Sequence, residues 1–291
     1  MENEPPKIDL KRIIDSISGL PTLPVVITKV TKLMQNPKVS AAEIAQAISS
    51  DQALASKILK IVNSSFYGFP SRIKTITHAI VILGFNSIKA TAMSASIFSS
   101  FSGEDKDSIF DMEGFWSHSI GVGAASKILA KRLKMKEVEE AFLAGLMHDL
   151  GKVILDQYMH KPFSRILDIV KTKKCLISEA EKIVLGGHTH ADIGALLVQK
   201  WNLNPEFVAI IKDHNAPTSA SDYFKITSVV HVADAFIRAM DIGNPGDDLI
   251  PKINPGAWNE LNINPVSLPQ IFKEISEEVK KTEIFFKMTA S

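Results

Sequence analysis

Apolar residues in this chain recur three and four positions apart, the period of one face of an α-helix. Leu23, Val26, Ile27, Val30, Leu33 and Met34 follow that spacing, and Ile44, Ile48, Leu54, Ile58, Leu59 and Val62 continue it through the next two segments. Runs that alternate polar and apolar residues between hairpin turns, the mark of half-buried strands, are missing. Helices with this pattern must bury their apolar stripes against one another, so the fold class expected is all-α, a dozen or more helices joined by short connections. Some helix starts are visible locally. Ser40 with Glu43 three residues on forms a capping box, and Ser267 with Gln270 predicts another, opening a final amphipathic helix from about Leu268 to Phe286. Pro and Gly gather between Ile242 and Pro255 and between Asn262 and Pro269, so Asn244 to Asn264 is expected to be an irregular connection.

Composition excludes several partners. With 33 Lys and Arg against 32 Asp and Glu, the net charge of +1 offers no bulk attraction to nucleic acid or an anionic membrane surface. Cys175 is the single cysteine, which precludes an intrachain disulfide and predicts a cytoplasmic location. Met1 to Arg12 carries charges throughout and lacks the apolar core of a secretory signal. The longest uncharged windows, Thr75 to Ile88 and Ala90 to Gly103, fall short of the roughly 18 apolar residues a spanning helix needs. A polar, acidic stretch from Phe101 to Asp111 marks a boundary, and only His78 of the eight histidines precedes it. The expected organisation is a lead-in over 1–17, an N-terminal helical part over 18–105, a His-rich metal-binding part over 106–242, and a connection with a C-terminal helix over 243–291.

The strongest local signal is Leu146-Met147-His148-Asp149-Leu150-Gly151-Lys152. A His and an Asp side by side at a helix end, before a Gly read as stopping the helix, can offer an imidazole nitrogen and a carboxylate oxygen to one divalent ion. Ligands must converge from several elements, and His118, His190, His214 and Asp234 lie on separate predicted helices. The order His118, then His148-Asp149, then Asp234 resembles the metal-binding pattern of the HD superfamily of phosphohydrolases. Within it, the stretch from about Leu20 to Ala235 resembles the HDOD domain, the HD-related output domain of bacterial signalling proteins. The resemblance rests on Leu20-Pro21-Thr22-Leu23-Pro24, Ser50-Asp51-Gln52-Ala53-Leu54, Val62-Asn63-Ser64-Ser65-Phe66-Tyr67-Gly68 and Ala79-Ile80-Val81-Ile82-Leu83-Gly84. Further along it rests on His190-Ala191-Asp192-Ile193-Gly194-Ala195, Lys200-Trp201-Asn202-Leu203 and Asp213-His214.

The resemblance implies a multi-helical HD-like bundle with an additional N-terminal helical subdomain. It implies His118, His148, Asp149 and Asp234 as ligands of a primary metal, with Asp149 bridging to a second metal held by His190 and His214. Lys152 matches the lysine that faces substrate phosphate in active relatives, so Lys152 and Asp149 are the catalytic candidates. The donor set suits one or two ions of iron, manganese or zinc better than calcium or magnesium. Two departures narrow the activity. His214-Asn215 stands where cyclic di-GMP phosphodiesterases of the HD-GYP group have paired histidines, and their Gly-Tyr-Pro signature is missing. Gly114 stands where some of them place an extra ligand carboxylate, so the resemblance implies neither cyclic di-GMP hydrolysis nor a third metal. Two functions are implied. One is a signalling output module answering a signalling protein or a small-molecule ligand in trans, with no receiver or cyclase domain attached. The other is a metal-dependent phosphohydrolase acting on a nucleotide or other phosphoester.

Other residues read as ordinary structure. His78 and His160 are expected to be packed or loop side chains, and His188, about 200° around a helix from His190, cannot share its metal. His231, one turn before Asp234, either packs in the core or orients that carboxylate. Lys127, Lys131, Arg132, Lys134 and Lys136, followed by Glu137, Glu139 and Glu140, read as solvated helix ends. Gly121 to Ser126 lacks the strand and third Gly of a dinucleotide fingerprint, and Cys175 is expected to be inert.

Overall fold

A computed structural model of the chain describes residues 10–17, 19–64, 67–101 and 108–290. Most of the charged N-terminal lead-in, Ser65-Phe66 of the Val62–Gly68 motif, and residues 102–107 of the acidic boundary stretch lie outside the described residues. Every regular element described is helical, and none of these helices is long and apolar enough to cross a membrane. The chain divides into two compact units, 21–104 with 276–291, and 1–20 with 105–275. The short α1 (Leu10–Ser16) belongs to the second of these.

The unit containing 21–104 is built from α2 (Val25–Leu33), α3 (Ala41–Ser49), α4 (Gln52–Val62), α5 (Ile76–Leu83) and α6 (Phe85–Phe101). The Ser40–Glu43 capping box forms as the spacing predicts: Glu43 N–H donates to Ser40 Oγ, and Ser40 N–H to Glu43 Oε2 at 2.8 Å. Asp51 and Thr75 cap α4 and α5 with the side chain alone, accepting from the Leu54 and His78 N–H without a reciprocal bond. Of the periodic residues, Ile44, Ile48, Leu54, Ile58 and Val62 are buried and Leu59 is half-buried, so most of the pattern read from sequence is the packed face. Asn63 closes the connection to Ile73, donating to its carbonyl and accepting from its N–H.

The unit containing 105–275 holds α7 (Met112–Arg132), α8 (Val138–Met147), α9 (Leu150–Tyr158), α10 (His160–Lys173), α11 (Ile177–Val184), α12 (His190–Lys200), α13 (Pro205–Asp213), α14 (Phe224–Ala239) and α15 (Pro255–Leu261). The last helix, α16 (Leu268–Ala290), begins in it. Helix α7 packs against α8 and α14, and α12 against α9 and α13. Both α7 and α14 are buried almost all round, which explains why neither shows a clean polar face.

Several expectations need correction. Ser267 does not open α16 with Gln270. Its hydroxyl donates to Asn264 O within a 3-10 turn over Pro265–Ser267, and Gln270 reaches Glu274 instead. The connection from Asn244 to Asn264 contains α15, capped by Asn254. Lys127 is not part of a solvated cluster. It is buried, with its ammonium 5.7 Å from the centre of the Phe142 ring. Gly151 does not stop a helix, because the break falls at His148-Asp149 and Gly151 sits in the first turn of α9. Its glycine identity has another cause: a Cβ at 151 would collide with the His190 carbonyl oxygen on α12.

Candidate metal centre

Six side chains converge in the second unit. His118 comes from the middle of α7, His190 from the first turn of α12, His214 from the C-terminal end of α13, and Asp234 from α14. His148 and Asp149 fill the break between α8 and α9, where Asp149 leaves helical geometry at φ −102°, ψ 6°. All six are buried, none more than 4% exposed.

Asp149 is the centre of the arrangement, and its two oxygens face different histidines. Oδ2 lies 3.2 Å from His148 Nε2 and 3.8 Å from His118 Nε2. Oδ1 lies 2.9 Å from His190 Nε2 and 3.7 Å from His214 Nε2. His118, His148 and Asp149 form one group able to hold a cation, and Asp149, His190 and His214 another. Asp234 Oδ1 stands 3.1 Å from His118 Nε2 and 4.0 Å from His148 Nε2, beside the first group. Two donors each about 2.1 Å from one cation stand roughly 3–3.5 Å apart, so these spacings suit a shared ion.

The hydrogen bonds around the imidazoles decide what they can do. His148 Nδ1 is 2.7 Å from Gly145 O, and His214 Nδ1 is 2.7 Å from Ile211 O. A carbonyl oxygen only accepts, so the proton sits on Nδ1 and the Nε2 lone pair of each points inward. His190 Nδ1 is held at 2.7 Å by Glu181 Oε2, which also accepts from the His190 backbone N–H. Glu181, His190 and Asp149 thus form the carboxylate–histidine arrangement that orients metal ligands. The inward nitrogen of His148 and both ring nitrogens of His118 have no hydrogen-bond partner, although all are buried. A neutral imidazole carries one proton, so each of these rings leaves one acceptor nitrogen unsatisfied beside a carboxylate, which is costly to bury without a positive centre between them, and this donor set fits a divalent transition metal.

Electrostatics agree. Burial raises the Asp149 carboxyl, but His148, Lys152 and His190 outweigh it and hold it well below the usual carboxylate range. Burial likewise opposes ionisation of Asp234, and Arg238 with His118 reverses the balance. Burial pushes His118 and His214 down, leaving them neutral and ligand-ready. His190 is the exception: burial lowers it, yet the Glu181 carboxylate and then Asp149 push it up to about 8.

Two cations are built into the site. Lys152 is fully buried, and its ammonium donates to Asp149 Oδ2 at 2.6 Å and to Pro245 O at 2.8 Å. Arg238, one turn after Asp234, donates to Asp234 Oδ1 at 3.0 Å and to Asp247 Oδ1 at 3.0 Å. The irregular segment from Gly243 to Ile250 ties these together. Asn244 N–H donates to Gly114 O, Pro245 O receives Lys152, and Asp247 joins Arg238 to the Ile177 N–H at the start of α11. Gly243, at φ +70°, lies so close to α7 that a Cβ would collide with His118 N. At Gly114 a Cβ would collide with the Asp111 carboxylate, so the position has no room for an extra ligand.

The remaining histidines lie apart. His188 approaches Asp192 at 3.6 Å and is partly exposed, and His78 is exposed. His231 does not touch the Asp234 carboxylate: Nδ1 donates to His214 O at 2.8 Å and Nε2 accepts from Asn254 N–H, fixing the end of α13. Sequence reasoning did not single out Glu181, Arg238 or Asp247. Only Arg238 carries a local signal, its four-residue spacing from Asp234. Replacing Glu181 with Gln is expected to weaken metal binding about 10–100-fold while the fold survives, checked by metal titration against circular dichroism; unchanged affinity would mean that His190 is oriented without it.

Comparison with known proteins gives these features a context. A family model described as HDOD domain matches residues 20–217. An HDOD domain protein of unknown function from Geobacter sulfurreducens superposes with a TM-score of 0.81 at 23% identity, covering 96% of this chain and 98% of that one. A structure from Shewanella amazonensis SB2B, provisionally named a phosphohydrolase, gives 0.75 at 24% identity, covering 96% and 97%. An uncharacterized protein of Treponema pallidum is 26% identical over 239 residues, which is 81% of this chain and 46% of that protein. The chain therefore spans about half the length of that curated relative.

Proposed function

The chain belongs to the HDOD domain family, and from that premise we propose that it is a signal-transduction output module whose conformation is fixed by a divalent metal at the Asp149 centre. One observation carries this reading: the six donors are at most 4% exposed, while Lys152, the residue at the phosphate-facing position, is spent on Asp149 and Pro245 O. A group in that state neutralises a ligand carboxylate rather than waiting for substrate. A bound ion of iron, manganese or zinc would supply fixed positive charge linking α7, the α8–α9 break, α12 and α13. The chain's own residues do the rest. Glu181, Gly145 O and Ile211 O aim the imidazoles, Lys152 and Arg238 keep the carboxylates ionised, and the Gly243–Ile250 segment carries the state of the centre outward to α11. The input then comes in trans, from a signalling protein or a small molecule.

The second reading, a metal-dependent phosphohydrolase, is favoured by the complete donor set and by the name given to the Shewanella relative. A phosphoester screen on metal-loaded wild type and Asp149→Ala separates the two. The module reading expects bound metal without turnover, and metal-dependent hydrolysis that vanishes in Asp149→Ala would replace it with the enzyme.

Proton linkage offers an independent check. With its pKa at about 8, His190 is charged at neutral pH, and in metal-stripped protein its contribution to stability is full below 6.5 and lost as pH rises through about 8. A metal needs the neutral imidazole, so binding at pH 7 is expected to release about one proton, and affinity to rise with pH until about 8. Calorimetry in buffers of different ionisation heat measures the proton directly; a pH-independent affinity between 6.5 and 8 would contradict the assignment.

A further inference from the structure

A groove of about 690 Å³ runs beside the metal centre, lined by residues of the α10–α11 connection, α11, the start of α12, the end of α13, and Leu249 to Lys252. Its size is in the range that takes a small organic ligand. Four lysines from four different places border it: Lys174, Lys182, Lys212 and Lys252. All are exposed. Three carboxylates face the same groove, Glu179, Asp192 and Asp213, of which Asp192 is committed to the Thr189 N–H at 3.0 Å. Large apolar side chains complete the lining in an unusual place. Leu249 is 40% and Ile250 58% exposed on the segment that Asp247 anchors to Arg238. Exposed apolar surface beside clustered ammonium groups matches a ligand with an apolar body and an anionic end.

The groove also reaches the metal centre by contact. Asn215 lines it, and its Nδ2 lies 3.3 Å from His190 Nε2. On the far side, Leu249 N–H donates to Asp247 Oδ1, the same oxygen that receives Arg238, the partner of Asp234. A molecule in the groove therefore touches two residues that each contact a metal donor or its anchor.

We propose that this groove binds a phosphorylated small molecule of nucleotide size, its phosphates held by Lys182 and Lys212 with Lys174 and Lys252, and its ring against Leu249 and Ile250. The occupant is the diffusible signal of the module reading, and the inference rests on that reading for its consequence but not for the binding itself.

Cys175, the single cysteine, lines the groove and reports occupancy without any engineering. The rate of its alkylation by iodoacetamide is measured with ATP, with inorganic pyrophosphate and with adenosine, in protein with and without chelator. ATP and pyrophosphate are expected to slow the reaction and adenosine to leave it unchanged. The double variant K182E/K212E, altered only at exposed positions, is expected to need at least about tenfold more ATP for half protection, with an unchanged melting curve. Absence of protection by ATP and pyrophosphate at millimolar concentration overturns the proposal, as does protection that survives the double reversal or is given equally by adenosine. Metal analysis of the same samples keeps the two ideas separate. Protein that binds no metal but is protected by ATP leaves the groove standing and removes the metal reading, whereas metal-loaded protein without protection does the opposite.

Discussion

Asp149→Ala is expected to strip the protein of bound metal and to lower its melting temperature by roughly 10 °C in the same stroke. The first effect follows from geometry, since both donor groups use this one carboxylate, one through each oxygen. The second is independent of any metal. Lys152 is fully buried, and among the described residues Asp149 is the charged partner that its ammonium meets at hydrogen-bond distance. Removing one member of a buried ion pair leaves the other uncompensated, at a cost of about 3–5 kcal/mol, and each kcal/mol moves Tm by about 2–4 °C in a unit of this size. The double variant D149A/K152M separates the causes. It is expected to recover most of the lost stability in chelator and none of the metal, read by thermal melting and elemental analysis. If D149A is as stable as wild type in chelator, the ammonium is not confined as described.

Gly151→Ala is expected to be nearly as damaging, although it adds a single methyl group far from solvent. The new Cβ would meet the His190 carbonyl oxygen and stand close to the Gly194 N–H, both backbone atoms of α12. Backbone held in a packed helix cannot turn aside as a side chain can, so α9 and α12 must separate. Overpacking of this kind costs about 1–3 kcal/mol and more where nothing yields, and 3 kcal/mol or above is expected here. The same shift pulls Asp149, at the head of α9, away from His190, at the head of α12. Metal affinity is therefore expected to fall along with stability, by at least about tenfold, in a titration of the refolded variant. A fully stable variant with normal affinity would show that the two helices have slack.

These two residues illustrate what the sequence reveals and what it hides. The resemblance to the HD pattern named His118, His148, Asp149, His190, His214 and Asp234, and the fold brings these six side chains together, a convergence from five separate places in the chain that residue order alone does not reveal. The apolar period was enough for an all-helical chain, and the Ser40–Glu43 box for one helix start, because both are set within a few residues. Gly151 was misread for the opposite reason. A glycine after a helical run is a local stop signal, while its actual constraint comes from a helix some forty positions away in sequence. Ser267 fails similarly, its hydroxyl being taken by the preceding 3-10 turn. Glu181 had no readable signal at all: on paper it is one more charged residue of an amphipathic helix, and only the fold brings it to His190.

The Gly243–Ile250 segment has no regular secondary structure, yet it is tied to four helices: Asn244 N–H to α7, Pro245 O to Lys152 of α9, the Asp247 carboxylate to the Ile177 N–H of α11 and to Arg238 of α14, and Leu249 O to Arg238 again. Loops usually exchange their amide hydrogens with deuterated solvent within the first moments and accept inserted tags or nicks by proteases. Here the Asn244, Gly246 and Leu249 amides, each held by an acceptor, should exchange more slowly than loop amides do, and an epitope spliced in at Gly246 should untie the bundle, whereas the turn around Ala220 should accept the same insertion.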